Sequence, residues 1–139
     1  KFVFLVRDPL ETIPSYFSLQ ENVKFGNLLT SDEMKLLRNE TYAEIIEWYR
    51  ETEKVKSKLV KKQFITLTYP QITGDLENSI SLFYKFIGKK MTKKFQKQVS
   101  DYAGKKYTKK HENKTIEDYG FTKKQILSDF DFVYQKYFV

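Results

Sequence analysis

The stretch of sequence that decides the fold is Phe2-Val3-Phe4-Leu5-Val6-Arg7-Asp8-Pro9-Leu10-Glu11-Thr12-Ile13-Pro14-Ser15-Tyr16-Phe17. Residues 2–6 are continuously apolar and mostly β-branched or aromatic, which is typical of a strand covered on both faces in a parallel sheet. Pro9 suits the first turn of a helix, and Asp8 can cap that helix. The stretch therefore predicts a strand, a turn at Arg7-Asp8 and a helix that ends near Gln20.

A second strand is predicted at Phe64–Thr68, where Tyr69-Pro70 ends it. We expect this strand to lie parallel to residues 2–6, with Arg7 and Tyr69 both at the carboxyl edge of the sheet. Two short parallel strands do not make a stable sheet by themselves. The remaining strands are therefore expected in additional polypeptide that precedes residue 1.

The rest of the chain is predicted to be mainly helical. The pattern predicts a loop at Gly26-Asn27, a short helix from Ser31, a longer one from Thr41 to Val60 with Trp48 in the core, and an irregular segment at 104–113. Three more helices are predicted over 76–87, over 92–102 and, as one piece, from Thr122 to near the end. The expected class is α/β with a helix-rich C-terminal portion, in which residues 1–139 form the C-terminal part of a single domain.

Composition excludes several classes of protein. With 12 Phe and 10 Tyr among 139 residues, the chain has too much aromatic surface to stay disordered. The absence of cysteine excludes disulfides and thiolate metal sites, and the single histidine, His111, is expected on the surface. No apolar run is long enough to span a membrane. A cysteine-free chain is more typical of a reducing compartment, but the sequence assigns no location.

Positive charge is concentrated in one part of the chain. The net charge is +7, yet the stretch from Lys85 to Lys114 holds 11 lysines against Asp101 and Glu112, so it carries +9 by itself. Such a field attracts anions, although a lysine-rich solvated surface is an equally good interpretation. Arginine and asparagine, which make bidentate base contacts, are scarce, so no sequence-specific binding of nucleic acid is expected.

Arg7 and Ser15 are the candidate ligand-binding residues. An arginine that follows a parallel strand points into the crevice where open α/β sheets bind their ligands. Ser15 lies about two helical turns further on, so its hydroxyl can turn back toward the strand end. A guanidinium and a hydroxyl that converge form a good phosphate cradle. The alternatives are a salt bridge from Arg7 to Asp8 or Glu11, and a Ser15 hydroxyl bonded to its own helix.

Four boxes of the sequence, in order, resemble those of sulfotransferases that use PAPS (3′-phosphoadenosine 5′-phosphosulfate). The first is the apolar strand with Arg7-Asp8-Pro9, five residues and Ser15-Tyr16-Phe17. The others are Phe64–Leu76, Tyr84-Lys85-Phe86-Ile87-Gly88 and Thr115-Ile116-Glu117-Asp118-Tyr119-Gly120-Phe121-Thr122. The resemblance spans the whole chain and is closest to the group with bacterial-type Arg-Asp-Pro-Leu-Glu motifs.

This resemblance implies part of a P-loop NTPase-like parallel sheet with flanking helices. It implies that PAPS is the donor and that Arg7 and Ser15 bind its 3′-phosphate. Tyr69 would lie against the adenine, unless it is a core tyrosine at a strand end. It also implies that the phosphosulfate-binding loop and the catalytic base precede residue 1, so that no residue of this segment is assigned as catalytic. No metal-binding residue is assigned either, because the composition excludes thiolate and multi-histidine sites. Carbohydrates, protein tyrosines and small alcohols remain possible acceptors, and an acidic acceptor would suit the lysines.

Three departures from the family pattern favour a second hypothesis. Pro14 lies inside the predicted helix and could kink it just before Ser15. Pro70-Gln71 replaces the usual Glu-Asp, and no Arg-Lys-Gly triplet occurs among the lysines, where Lys105, Lys106, Lys109 and Lys110 could substitute. The alternative function is therefore a non-catalytic scaffolding subunit with the sulfotransferase fold. A nucleic-acid-binding module, suggested by charge alone, is a third reading.

Overall fold

The computed structural model of the chain describes residues 1–25, 28–105 and 114–139, with the backbone alone at 23–25. Its strands are β1 (Phe2–Val6) and β2 (Phe64–Thr68). Its α-helices are α1 (Pro9–Leu19), α2 (Ser31–Ser57), α3 (Tyr69–Gly74), α4 (Leu76–Ile87), α5 (Lys93–Ala103), α6 (Lys123–Asp129) and α7 (Asp131–Tyr137). A π-helical stretch covers Gln20–Phe25, and 3-10 turns cover Lys61–Gln63 and Glu117–Tyr119.

The chain divides into two compact units. The first unit consists of Lys1–Arg7 and Lys56–Lys110, and it contains the sheet with α3, α4 and α5. The second unit consists of Asp8–Val55 and His111–Val139, and it contains α1, nearly all of α2, and α6 and α7. The protein is therefore a mixed α/β chain in which helices greatly outnumber strands.

The two strands of the first unit pair in parallel, as predicted, in a register that joins Phe2 to Phe64 and Val6 to Thr68. Val6 and Leu67 are buried, but Phe2 is 55% and Leu5 is 62% exposed. The described residues therefore leave part of β1 without cover, and cover of both faces by additional polypeptide stays a prediction. Among the described residues, β1 pairs with a single strand, β2.

The helices α4 and α5 follow the sheet in the first unit. Asp75 caps the start of α4, and Gly88, at a φ of 74°, ends it in the left-handed conformation that glycine adopts without strain. Thr92 caps α5 by accepting the N–H of Phe95 at 3.2 Å. The rings of Phe95 and Tyr84 lie 5.5 Å apart between centroids, which joins the two helices.

The core of the second unit is aromatic. Phe17 of α1 and Phe130 at the junction of α6 and α7 are fully buried. Tyr42 of α2 lies 4.6 Å from Phe121 and 6.1 Å from Phe130 between ring centroids. Phe17 also contacts Tyr119, at 5.2 Å. The segment 115–122, singled out from the sequence as a family box, thus supplies core residues that pack on α1.

Three predictions about the second unit are wrong. A single helix, α2, replaces the two expected around Thr41, because Thr41 is buried and its hydroxyl accepts the side-chain N–H of Gln20 at 2.8 Å instead of capping a new helix. Trp48 is 77% exposed and does not belong to the core. The last helix breaks into α6 and α7 at Phe130, whose φ of −108° and ψ of 19° depart from helical values.

Some sequence predictions lie outside the described residues. They concern the loop at 26–27, most of the irregular segment, His111, and the lysines Lys106, Lys109 and Lys110. Within the ranges 1–25, 28–105 and 114–139, no helix is long and apolar enough to cross a membrane. The same described ranges contain no cluster of three or more acidic, histidine or cysteine residues that could hold a metal ion.

Candidate functional site

The turn after β1 is built on Asp8. Its carboxylate oxygen Oδ1 accepts the N–H of Leu10 at 2.9 Å, and its carbonyl accepts the N–H of Thr12 at 2.9 Å. Pro9, which has no N–H to donate, occupies the first helical position and is buried. The predicted capping role of Asp8 is confirmed, and α1 begins immediately after the candidate residue Arg7.

Ser15 lies in the middle of α1. The helix runs without a break from Pro9 to Leu19, so Pro14 does not end it, and the Pro14 ring is buried. Ser15 is half-buried, and its hydroxyl forms no hydrogen bond with any of the described residues. The alternative in which Ser15 bonds to its own helix is therefore wrong, and the hydroxyl can serve a ligand.

Tyr69 is placed by a capping box at the end of β2. The N–H of Thr68 donates to the Gln71 side chain at 2.9 Å, and the N–H of Gln71 donates to the Thr68 hydroxyl at 3.4 Å. Tyr69 is exposed and is not a core residue. Gln71, which departs from the family pattern, thus has a structural role: it fixes the first turn of α3 and with it the position of Tyr69.

Arg7 and Tyr69 meet at the carboxyl edge of the sheet, as their positions after paired strands predict. The guanidinium carbon of Arg7 lies 4.7 Å from the centroid of the Tyr69 ring. This cation–π contact restricts the long Arg7 side chain. A guanidinium held on an aromatic ring keeps N–H groups in its own plane, where they suit bidentate binding of a phosphate.

The predicted site residues divide between the two units. Arg7 and Tyr69 both belong to the first unit and are in contact, whereas Ser15 belongs to the second. The convergence of Ser15 with Arg7 stays a prediction. The sequence analysis did not predict the cation–π contact of Arg7 with Tyr69 or the role of Gln71, although the spacing Thr-x-x-Gln is typical of a capping box.

The lysines of α4, of α5 and of the connection between these helices form an exposed surface, which we call the lysine surface. It consists of Lys85, Lys89, Lys90, Lys93, Lys94 and Lys97, all exposed. None of them forms an ion pair with a described carboxylate. On α5 the lysines lie opposite Phe95 and Val99, which face inward. The first unit therefore presents uncompensated positive charge to solvent.

Comparison with known proteins agrees with the family boxes. The family described as the sulfotransferase domain matches residues 1–138. The chain therefore belongs to the sulfotransferase domain family. Members of this family generally use PAPS as the sulfuryl donor. No curated protein and no solved structure matches the chain closely enough to count as a relative.

Proposed function

We propose that the protein is a PAPS-dependent sulfotransferase and that this segment supplies the 3′-phosphate and adenine side of the donor site. PAPS, when bound, supplies the sulfuryl group that passes to an acceptor hydroxyl or amine. The observation that carries the proposal is the guanidinium of Arg7 lying on Tyr69 at the carboxyl edge of a parallel sheet, in a chain of the sulfotransferase family. That edge is where open α/β sheets bind their ligands.

The residues fit a phosphate with an adjoining base. The guanidinium of Arg7 donates hydrogen bonds through a planar fork of N–H groups. Ser15 offers a hydroxyl that forms no hydrogen bond with any described residue. The exposed ring of Tyr69 offers an apolar face for adenine beside the guanidinium that it holds. In this proposal these residues bind and orient the nucleotide, and none of them moves the sulfuryl group or the acceptor proton.

The lysine surface supports an anionic acceptor. Six exposed lysines without carboxylate partners among the described residues create a positive field. Such a field concentrates anions near the protein and weakens as salt rises. We therefore propose that acidic acceptors are favoured over neutral ones, and that the acceptor hydroxyl or amine belongs to a molecule carrying its own negative charge.

Additional polypeptide is proposed to complete the sheet. Val3 and Leu5, on one face of β1, and Phe2, on the other, are exposed apolar side chains. Burial of such side chains typically contributes about 1.5 to 3 kcal/mol each, so a covering strand or helix would be strongly favoured. Within this proposal the covering polypeptide also carries the phosphosulfate-binding loop and the catalytic base of the family.

Calorimetry on the intact protein tests the donor site. Wild type should bind adenosine 3′,5′-bisphosphate more tightly than adenosine 5′-phosphate, because Arg7 contacts the 3′-phosphate. Arg7→Ala should remove about 1.5 to 3 kcal/mol of this preference, the usual contribution of a charge-assisted hydrogen bond. Ser15→Ala should remove less, about 0.5 to 1.5 kcal/mol, because its hydroxyl is neutral.

The matched control is Arg50→Ala, which removes the same charge from an exposed arginine that pairs with Glu47 at 3.9 Å. This variant should keep the full preference for the bisphosphate. Equal affinity of wild type for the two nucleotides would remove the donor-site proposal and favour the scaffolding function. Tight binding of the bisphosphate by residues 1–139 alone would also count against it, since half of the proposed pocket lies elsewhere.

A further inference from the structure

One carboxylate oxygen at the start of α1 accepts two hydrogen bonds. Oδ1 of Asp8 takes the N–H of Leu10 at 2.9 Å and the hydroxyl O–H of Tyr134 at 2.5 Å. The Leu10 N–H also lies 3.4 Å from the Tyr134 oxygen, so the three groups form a small closed network. Tyr134, near the end of the sequence, thus forms a hydrogen bond with Asp8, the residue that caps the first turn of α1.

Tyr134 is itself firmly held. It belongs to α7, where its neighbour Val133 is fully buried, and α7 begins beside the fully buried Phe130. Burial, together with the hydrogen bond to Asp8 and the charge of Asp8, raises the pKa of Tyr134 well above its usual value. A tyrosine hydroxyl is protonated at neutral pH, and the raised pKa keeps that of Tyr134 a donor to Asp8 in alkaline solution as well.

Ser15 depends on the position of this helix start. It lies seven residues beyond Asp8, which at about 1.5 Å per residue places it about 10 Å along α1. A tilt of about 6° at the helix start would move Ser15 by about 1 Å, and a 1 Å misplacement is enough to weaken a positioned contact strongly. The start of α1 is therefore a sensitive point for any ligand bound by Ser15.

We propose that Tyr134 is a positioning residue for nucleotide binding: its hydrogen bond to Asp8 fixes the start of α1 and so places the Ser15 hydroxyl. This inference rests on the proposed function, in which Ser15 binds the 3′-phosphate. Tyr134 touches no ligand in this account. Because Tyr134 acts through Ser15, removing its hydroxyl should lower the preference for the bisphosphate by no more than removing the Ser15 hydroxyl does.

The test is Tyr134→Phe in the intact protein, with the ratio of affinities for adenosine 3′,5′-bisphosphate and adenosine 5′-phosphate as the readout. The variant keeps the ring and removes only the hydroxyl. We expect the ratio to fall about three- to tenfold, up to the loss produced by Ser15→Ala. The ratio is measured on folded protein, so a uniform loss of stability does not change it.

The second unit provides a matched control. Tyr42 donates its hydroxyl to Asp129 at 2.7 Å, and burial followed by this hydrogen bond raises its pKa as well. Tyr42→Phe therefore removes the same kind of tyrosine–aspartate bond at a place away from the Asp8 cap. Both variants should lose stability, but Tyr42→Phe should keep the wild-type affinity ratio.

A double variant tests whether Tyr134 affects nucleotide binding through Ser15. In a Ser15→Ala background, Tyr134→Phe should cause little further fall in the ratio, because the group that it positions is already gone. A fall that adds fully to that of Ser15→Ala, or an unchanged ratio in Tyr134→Phe alone, would overturn the positioning role. A wild-type protein that does not distinguish the two nucleotides would instead contradict the proposed function.

Discussion

The two units of the protein bury their apolar side chains to different extents. The second unit encloses Phe17 and Phe130 completely and packs aromatic rings around them. The first unit buries Val6 and Leu67 but leaves Phe2, Val3 and Leu5 in water. The difference indicates that the second unit has its own core, whereas apolar side chains in the sheet of the first unit are not covered by the described residues.

The largest expected effect is in the second unit. Phe130→Ala should lower the free energy of unfolding by about 3 to 5 kcal/mol, because it empties a closed site beside Tyr42 and Tyr49. Trp48→Ala is the control: it removes a larger aromatic ring, but one that is 77% exposed, and should cost little. Urea unfolding of both variants measures the difference. Similar costs for the two would show that the aromatic core is not where the structure places it.

The second prediction concerns register partners in the sheet, Leu5 and Leu67, which are 62% and 7% exposed. In residues 1–139, Leu5→Ala should change the free energy of unfolding by about 0.5 kcal/mol or less, as expected at an exposed position. In the intact protein we expect about 2 to 5 kcal/mol, because the proposed additional polypeptide would bury the side chain. Leu67→Ala should be costly in both.

Urea unfolding of the two variants in each length of chain gives these values. A small cost for Leu5→Ala in the intact protein would contradict the proposal that further strands or helices cover β1.

How much the sequence predicts differs between local and long-range features. Caps are local, so Asp8 and Thr122 could be assigned from residue type and spacing, and the structure confirms both. The single helix α2 could not be predicted from the sequence, because threonine commonly caps helices and Thr41 therefore suggests a helix start. Its hydroxyl instead accepts a hydrogen bond from Gln20, which lies outside α2. The break at Phe130 likewise falls on a buried residue whose ring contacts Tyr42 and Tyr49, far away in the sequence.

The candidate site shows the same division. The pairing of Arg7 with Tyr69 follows from parallel strands that end side by side, so the sequence could predict that they meet at one edge. The stacking geometry depends on the turn that Gln71 fixes. Tyr134 could not be recognised from the sequence, because a tyrosine inside a terminal helix gives no signal that its hydroxyl reaches Asp8.

A third prediction uses pH to examine the core of the second unit. Tyr42 is 6% exposed and its pKa is raised from 10.0 by burial and then by its bond to Asp129. Above pH 10 the unfolded chain loses this proton while the folded chain keeps it, so stability falls as pH rises. The slope from one tyrosine is at most about 1.4 kcal/mol per pH unit.

Tyr42→Phe should therefore flatten the dependence of unfolding free energy on pH between about 10 and 11.5, the range above the unfolded value. Urea unfolding at a series of pH values, compared with wild type, provides the test. An unchanged slope would mean that Tyr42 titrates equally in both states and is not buried as described.

The smallest expected effects compare surface charge in two helices. On α5, Lys94 lies in the first turn, one turn from Lys97, and has no described carboxylate partner, so Lys94→Gln should raise the free energy of unfolding by about 0.2 to 0.5 kcal/mol. On α2, Lys54 pairs with Glu51 at 2.8 Å, so Lys54→Gln should lower stability. Glutamine and lysine have similar helix propensities, which leaves charge as the main change.

Denaturation at about 0.02 M and about 1 M salt isolates the effect of charge on stability. High salt shortens the screening length to about 3 Å and should bring both variants close to wild type. The same sign for both substitutions at low salt would show that the lysine surface is not electrostatically strained, and would remove its charge as an argument for an anionic acceptor.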